Sequence, residues 1–345
     1  LEFRRVLFRS LKNELISQGY NFSTNSDTEV ILKLYEVEGI EFVNKLDGMF
    51  AFAIYDSSEN KIFVSRDSFG EKPLYYYSTG DSFYFASELK SIVKVLDHNL
   101  NIDRTALNLY FQLTYIPSPF TIYENVYKLN PGAILKFDII NHDFEISDFQ
   151  FCKTNSGSFD PKNCTSKIRD LVFESVLSRS VSDVPIGTFL SGGVDSSIVS
   201  YCLSELSINK IDTFSIGFEN KSFDESSKAR LVSKIIHSNH HTIIVKEGDL
   251  LHNTNKILNN FDEPFADSSA LPSYLLAEYT RKYVKVALTG DGADEIFSGY
   301  NKHYIGKLNY HYTNSISENI HSFILKLADT TVNNKKDNRG FKFKL

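Results

Sequence analysis

Ser191-Gly192-Gly193-Val194-Asp195-Ser196-Ser197 follows directly on the apolar run Ile186-Gly187-Thr188-Phe189-Leu190 and opens into Ile198-Val199-Ser200. An apolar run, paired glycines and then a hydroxyl-rich start predict a strand, a tight turn and a helix. The glycines let the backbone approach a ligand closely. Free N–H groups at the helix start, with hydroxyls around them, make a phosphate site. Asp195 can hold Mg2+ against such phosphates. The loop is not a Walker A sequence, because the pattern G-x-x-x-x-G-K-S/T is absent. An ordinary strand–turn–helix connection with a capping Asp is the plainer alternative, and it leaves so particular a string unexplained.

Working outward, helix 164–181, strand 184–190, helix 196–206, strand 211–218, helix 224–237, strand 241–245, helix 270–282, strand 283–289 and helix 293–299 alternate with short connections. That alternation predicts an α/β domain with a doubly wound parallel sheet. Ligands of such sheets bind beyond the carboxyl ends of the strands. Before residue 141 the pattern is different. Met49-Phe50-Ala51-Phe52-Ala53-Ile54-Tyr55 reads as a strand buried on both faces, and Lys61–Arg66 as its returning hairpin partner. Leu74–Tyr77 and Ser82–Ala86 form a second pair, and Ser26 or Asp27 opens a helix to Tyr35. This half is α+β with antiparallel sheet. The polar stretch 141–163, with Asn155-Ser156-Gly157-Ser158 and Pro161 inside it, is placed as the linker. The domains are therefore 11–140 and 164–345. Leu1–Ser10 is set aside as a non-native leader, since it lacks the pattern of a signal peptide.

Other strand ends carry related signals. Leu288-Thr289-Gly290-Asp291-Gly292-Ala293-Asp294-Glu295 sets glycines and acids between a strand and a helix. Asp294 and Glu295 suit a helix N-terminus as dipole partners, but three acids beside a triphosphate also imply metal ligands. Phe261-Asp262-Glu263-Pro264-Phe265-Ala266-Asp267 is acidic and broken at its proline; it reads equally as a capped turn or as a source of further metal ligands. Phe214-Ser215-Ile216-Gly217-Phe218 offers a backbone edge to a flat ring, or is simply a core strand.

Composition narrows the classes. The net charge is −6 and hydrophobic residues make up 42% of 345. An acidic balance argues against nucleic acid and against membrane surface as partners, both being anionic. No apolar run approaches the roughly 18 residues of a membrane span. Cys152, Cys164 and Cys202 are too few for a disulfide scaffold and are not spaced for zinc, which fits a reducing, cytoplasmic setting.

Taken together and in this order, SGGVDSS, FSIGF, FDEPFADSSALP and LTGDGADEIFSGY resemble the synthetase domain of the glutamine-hydrolysing asparagine synthetases, over residues 165 to 305. SGGVDSS itself looks like the pyrophosphate loop of enzymes that split ATP into AMP and pyrophosphate. The resemblance implies that Ser191, Gly192, Gly193, Ser196 and Ser197 bind pyrophosphate and that Asp195 and Asp294 bind Mg2+. It implies that the Ile216 backbone contacts adenine, that Thr289 and Gly290 contact the nucleotide, and that Asp291 serves formation of β-aspartyl-AMP. The first half resembles the latter part of a class II, N-terminal-nucleophile glutaminase domain, through Asn25-Ser26-Asp27-Thr28-Glu29, Asp47-Gly48-Met49-Phe50 and Arg66-Asp67-Ser68-Phe69-Gly70-Glu71-Lys72-Pro73-Leu74. There Asp27 matches the residue that holds the α-amino group of glutamine; on the residues alone an N-cap serves as well. Arg66 and Asp67 read as structural.

The family's N-terminal Cys nucleophile has no counterpart here, and the family continues past Leu345. The expectation is an internal segment of a longer enzyme, itself without glutaminase activity. The parent would make asparagine from aspartate, ATP and glutamine, and a homodimer is what the resemblance implies. Two other readings stay open: a related amidotransferase acting on another carboxylate, and a nucleotide-binding chain without turnover.

Overall fold

Residues 2–3, 5–80, 82–96, 100–149, 161–221, 224–317 and 320–322 are described in a computed structural model. The first half runs β1 (Glu2–Phe3), α1 (Arg5–Ser17), α2 (Asp27–Glu38), a 3-10 turn (Gly39–Lys45), β2 (Gly48–Met49), β3 (Ala51–Asp56), β4 (Lys61–Arg66), β5 (Tyr75–Thr79), β6 (Ser82–Ala86), α3 (Leu89–Leu96), α4 (Arg104–Leu113), β7 (Val126–Lys128), β8 (Ala133–Asp138) and β9 (Asp143–Asp148). Two antiparallel sheets form, ordered β3-β4-β8-β9 and β6-β5-β7. Phe83 of one lies flat on Phe137 of the other, ring centroids 4.4 Å apart. Val64, Leu135 and Tyr76 fill the same inter-sheet space. The outer face of the first sheet is covered by α1 and α2 through Leu15, Val30, Leu34, Phe52, Ile54 and Phe63. The outer face of the second is covered by α3 and α4 through Leu89, Ile92 and Ala106. The order is helix, sheet, sheet, helix, and each fully buried aromatic such as Phe42 or Phe50 contributes about 1.5–3 kcal/mol of transfer free energy.

Some expectations change here. The 49–55 run is not one strand buried on both faces. It divides into β2 and β3 around Phe50, and β3 alternates, with Phe52 and Ile54 inside and Tyr55 61% exposed. The reason is covering: α1 and α2 lie over the face that carries Phe52 and Ile54, while Ala53 and Tyr55 on the other face are exposed. Helix α1 begins at Arg5 and crosses the expected boundary at residue 10, and β9 pairs with β8 inside the stretch read as linker. Cys152 and Asn155–Ser158 lie outside the described residues.

The second half continues with α5 (Pro161–Ser180), β10 (Ile186–Phe189), α6 (Val194–Leu206), β11 (Asp212–Phe218), α7 (Ser226–Ile235), β12 (Asn239–Val245), α8 (Glu247–Leu258), α9 (Ala270–Thr280), β13 (Val286–Leu288), α10 (Ala293–Phe297) and α11 (Asn301–Ser315). Strands β12-β11-β10-β13 are parallel throughout. Thr188 on one face bonds Ser200 of α6 at 2.7 Å, while Phe214 on the other packs against Tyr283 just beyond α9. Helices therefore cover both faces of the sheet. The winding runs from β10 out to β12 and then returns to β13 on the other side of β10. This reversal opens a crevice at the carboxyl ends of β10 and β13. The described residues up to Thr289 form one compact unit, and those from Gly290 onward form a second.

Candidate active site

The Ser191–Ser197 loop leaves β10 at that crevice. Leu190 N–H donates to Phe214 O at 2.8 Å, which anchors the loop's first residue to β11. Gly192 turns the chain with φ +84°, and a Cβ there would come within 2.5 Å of Lys228 Cβ and 2.6 Å of Ala229 N on α7. Only glycine fits both the dihedral and the space. Ser191 Oγ lies 2.9 Å from Ser196 Oγ and accepts the Gly193 N–H at 3.2 Å. The hydroxyls thus brace each other across the turn. Gly193 is the N-cap of α6 and supplies no capping side chain. The first N–H groups of a 13-residue helix are left for a ligand, and anions suit that end. Asp195 stands half-buried in the first turn.

Ile216 lies at the same edge on β11, with its backbone registered opposite Ile243 of β12. Thr289 follows β13 on the far side of β10. The sheet therefore brings the phosphate loop, Ile216 and Thr289 to one edge. In the second unit, Gly292 caps α10 with φ +91°, and Gly290 O accepts the Ala293 N–H at 3.3 Å. Asp294 O accepts the Gly299 N–H at 2.9 Å, and the Asp294 carboxylate lies where a Cβ on Gly299 would stand. Glu295 accepts the Tyr300 hydroxyl at 2.7 Å. That bond holds the Glu295 carboxyl below its ordinary range and pushes the Tyr300 phenol up to about 12. Tyr300 is a partner that the sequence did not suggest. Asp291 is exposed ahead of Gly292. Among the described residues no three metal-ligating side chains converge.

The acids of 261–267 have other partners. Asp262 accepts the Lys90 N–H at 3.2 Å, Glu263 is ion-paired with Lys128, and Asp267 caps Ser269 N–H at 2.8 Å. Asp262 and Glu263 thus bond to residues of the first half, and Asp267 to its own turn. Lys128 and Lys90 were invisible to sequence reading because they lie in the other half of the chain. Burial pushes the Glu263 carboxyl up, against the pull of Lys128.

In the first half, Ser26 is the N-cap of α2, and Asp27 is its first residue, accepting Thr28 N–H at 2.9 Å. The loop before it is held by Glu29, whose carboxylate accepts N–H groups of Ser23 and Thr24, each at 2.7 Å. An open depression of about 400 Å³ is lined by Lys12, Tyr20, Asn21 and Asn25, and Asp27 is not in its wall. Arg66 donates to the carbonyls of Gly70, Lys72 and Leu129, and the Asp67 carboxylate accepts from four backbone N–H groups, those of Phe50, Phe69, Glu71 and Lys72. Cys202 is buried on α6 among Val176, Leu203 and Ile211, and burial raises its thiol.

Residues 7–148 match the family model of a glutamine amidotransferase domain, and residues 167–342 match that of asparagine synthase. The tandem is that of an amide-forming synthase joined to a nitrogen-donating domain. The chain belongs to the asparagine synthase family. It is 42% identical over 286 residues to the putative asparagine synthetase (glutamine-hydrolyzing) 2 of Methanocaldococcus jannaschii, covering 82% of this chain and 55% of that protein. It is 38% identical over 293 residues to asparagine synthetase (glutamine-hydrolyzing) 1 of Bacillus subtilis, covering 84% and 46%. The chain thus spans about half the length of the curated relatives it matches. Among solved structures, a glutamine-dependent NAD+ synthetase of Acinetobacter baumannii in complex with ADP aligns with a TM-score of 0.30 and 11% identity, over 86% of this chain and 72% of that one. No helix among the described residues is long and apolar enough to cross a membrane.

Proposed function

We propose that the protein amidates aspartate to asparagine at the expense of ATP, drawing nitrogen from glutamine and releasing AMP and pyrophosphate. The observation that carries this reading is the Ser191–Ser197 loop: a glycine pressed against α7, braced hydroxyls and an uncapped helix start, at the reversal point of a parallel sheet. Such a loop grips the departing β,γ-phosphates through N–H groups of Val194 and its successors and through the hydroxyls of Ser191, Ser196 and Ser197. Gly192 admits the phosphates to the backbone. The Ile216 backbone meets the adenine edge, and Thr289 and Gly290 contact the nucleotide. Asp291 serves formation of β-aspartyl-AMP. Asp195 and Asp294 would hold Mg2+, which would supply positive charge beside the departing pyrophosphate. The helix–sheet–sheet–helix half suits an N-terminal-nucleophile amidotransferase, in which Asp27 holds the α-amino group of glutamine.

Asp195→Asn in the full-length protein tests the assignment. Pyrophosphate release from ATP, aspartate and ammonium should fall by two orders of magnitude or more, with glutamine hydrolysis retained. Undiminished release would remove Asp195 from the metal site. Release with a different carboxylate, and not with aspartate, would move the acceptor elsewhere within the family.

A further inference from the structure

The segment 261–267 takes no part in the nucleotide chemistry above, yet three separate elements of the first half hold it. Glu263 is paired with Lys128 of β7, and the two side chains are 15% and 13% exposed. Lys128 is itself fixed by donating to Ile116 O at 2.6 Å. Asp262 accepts the Lys90 backbone N–H at the start of α3, and its other oxygen lies 3.4 Å from Lys90 Nζ. Ala266 N–H donates at 2.9 Å to the carbonyl of Thr114, the residue that ends α4 in the left-handed region. Directly after the segment comes α9, which packs on β11 and β12. The seven residues therefore connect α3, α4 and β7 of the amidotransferase half to the helix that backs the nucleotide sheet.

A buried pair of this kind is weak evidence for stability, since desolvation offsets the attraction. What it supplies is geometry: a paired, dehydrated carboxylate has few alternative positions. Its links also differ in character. The Lys90 contact is half-exposed and weak, whereas the Lys128 contact is shielded from solvent.

We infer that Glu263 is a positioning residue, clasped by Lys128, that fixes the nucleotide-binding half on the amidotransferase half so that nitrogen release and carboxylate activation stay coupled. This inference rests on the proposed function for its chemical meaning, and on the contacts alone for the clasp.

Glu263→Gln in the full-length protein keeps the shape and removes the charge. The expected result is a fall of about tenfold in glutamine-driven asparagine formation. Ammonium-driven pyrophosphate release and glutamine hydrolysis should stay within about twofold, so that more glutamate forms per asparagine. Lys90→Ala, at the half-exposed link, should move the same ratio in the same direction by a smaller factor and keeps the test open if the first variant folds poorly. A parallel loss of all three activities, or an unchanged ratio in both variants, overturns the inference. Hydrogen exchange supplies a readout independent of turnover: in Glu263→Gln, amides of 261–267 and of 114–128 should exchange faster, with β10–β12 unchanged. If the wild-type protein releases no pyrophosphate from aspartate and ammonium, the proposed function fails while exchange still decides the clasp. If the wild-type protein is active and exchange does not change, the clasp alone fails.

Discussion

Asp67 is 1% exposed, and its oxygens accept N–H groups from Phe50, Phe69, Glu71 and Lys72 at 2.9–3.3 Å. A carboxylate so enclosed is held by those donors, and the 67–74 loop is shaped around it. Asp67→Ala leaves four donors without an acceptor, and should cost at least about 3 kcal/mol, read as a lowered urea midpoint. A midpoint within experimental error of wild type would show that the loop finds other acceptors. Gly192 makes the complementary case. Gly192→Ala sets a Cβ at 2.5 Å from Lys228 Cβ on a backbone at φ +84°. The loop must shift, at about 1–3 kcal/mol; on the proposed function ATP and Mg2+ should raise the Tm of the wild type, and in this variant that rise should vanish. A preserved rise would mean that phosphate does not use this turn. Both sites were legible in the sequence as residue types in tight local strings, because a turn that wraps a carboxylate or a phosphate draws its donors from neighbouring positions.

Between β11 and β12 runs a polar seam within an otherwise apolar sheet. His240 lies between Thr213 Oγ1, at 2.9 Å from Nδ1, and Ser215 Oγ, at 3.1 Å from Nε2. Burial foremost, then the charges of Arg230 and His241, lower its affinity for protons below the ordinary value of 6.5. The sign follows directly. As pH drops below 6.5 the unfolded chain takes up a proton that the folded strand pair resists, so stability is present above that pH and is lost on acidification. His240→Gln should flatten the fall in Tm between about pH 7 and 5 relative to wild type; an identical slope would assign the acid sensitivity to other groups. Elements differ in how far the sequence announces them. The β10–α6–β11–α7–β12 run follows hydrophobic period and turn residues closely, since each element is buried against its neighbours. β9 falls in the stretch placed as linker because that stretch is polar as a whole, although Phe144 and Ile146 do alternate with polar residues along it. β7 is three residues long, too short to carry a period.

At the scale of the molecule, what the sequence hid is what joins distant parts. Lys90 and Asp262 are 172 residues apart, and no local pattern marks either as the partner of the other. The acids of 261–267 can thus be read as metal ligands from type alone, whereas in the fold Asp262 and Glu263 bond to Lys90 and Lys128 of the first half. A further consequence concerns the order of assembly. Strand β13 enters its sheet by pairing Val286 with Ile186, a hundred residues earlier, while the β10–β11 and β11–β12 pairings join strands only a few tens of residues apart. Closing the longer loop carries the larger entropic penalty, and non-local parallel pairings form slowly. During synthesis, β10 through β12 can zip as soon as they leave the ribosome. The open flank of β10 must then wait, with its backbone groups unpaired, until residue 288 has emerged. The nascent chain passes through an interval in which that flank is a ready template for a wrong strand, and the β13 side of the sheet is the last part of it to be built.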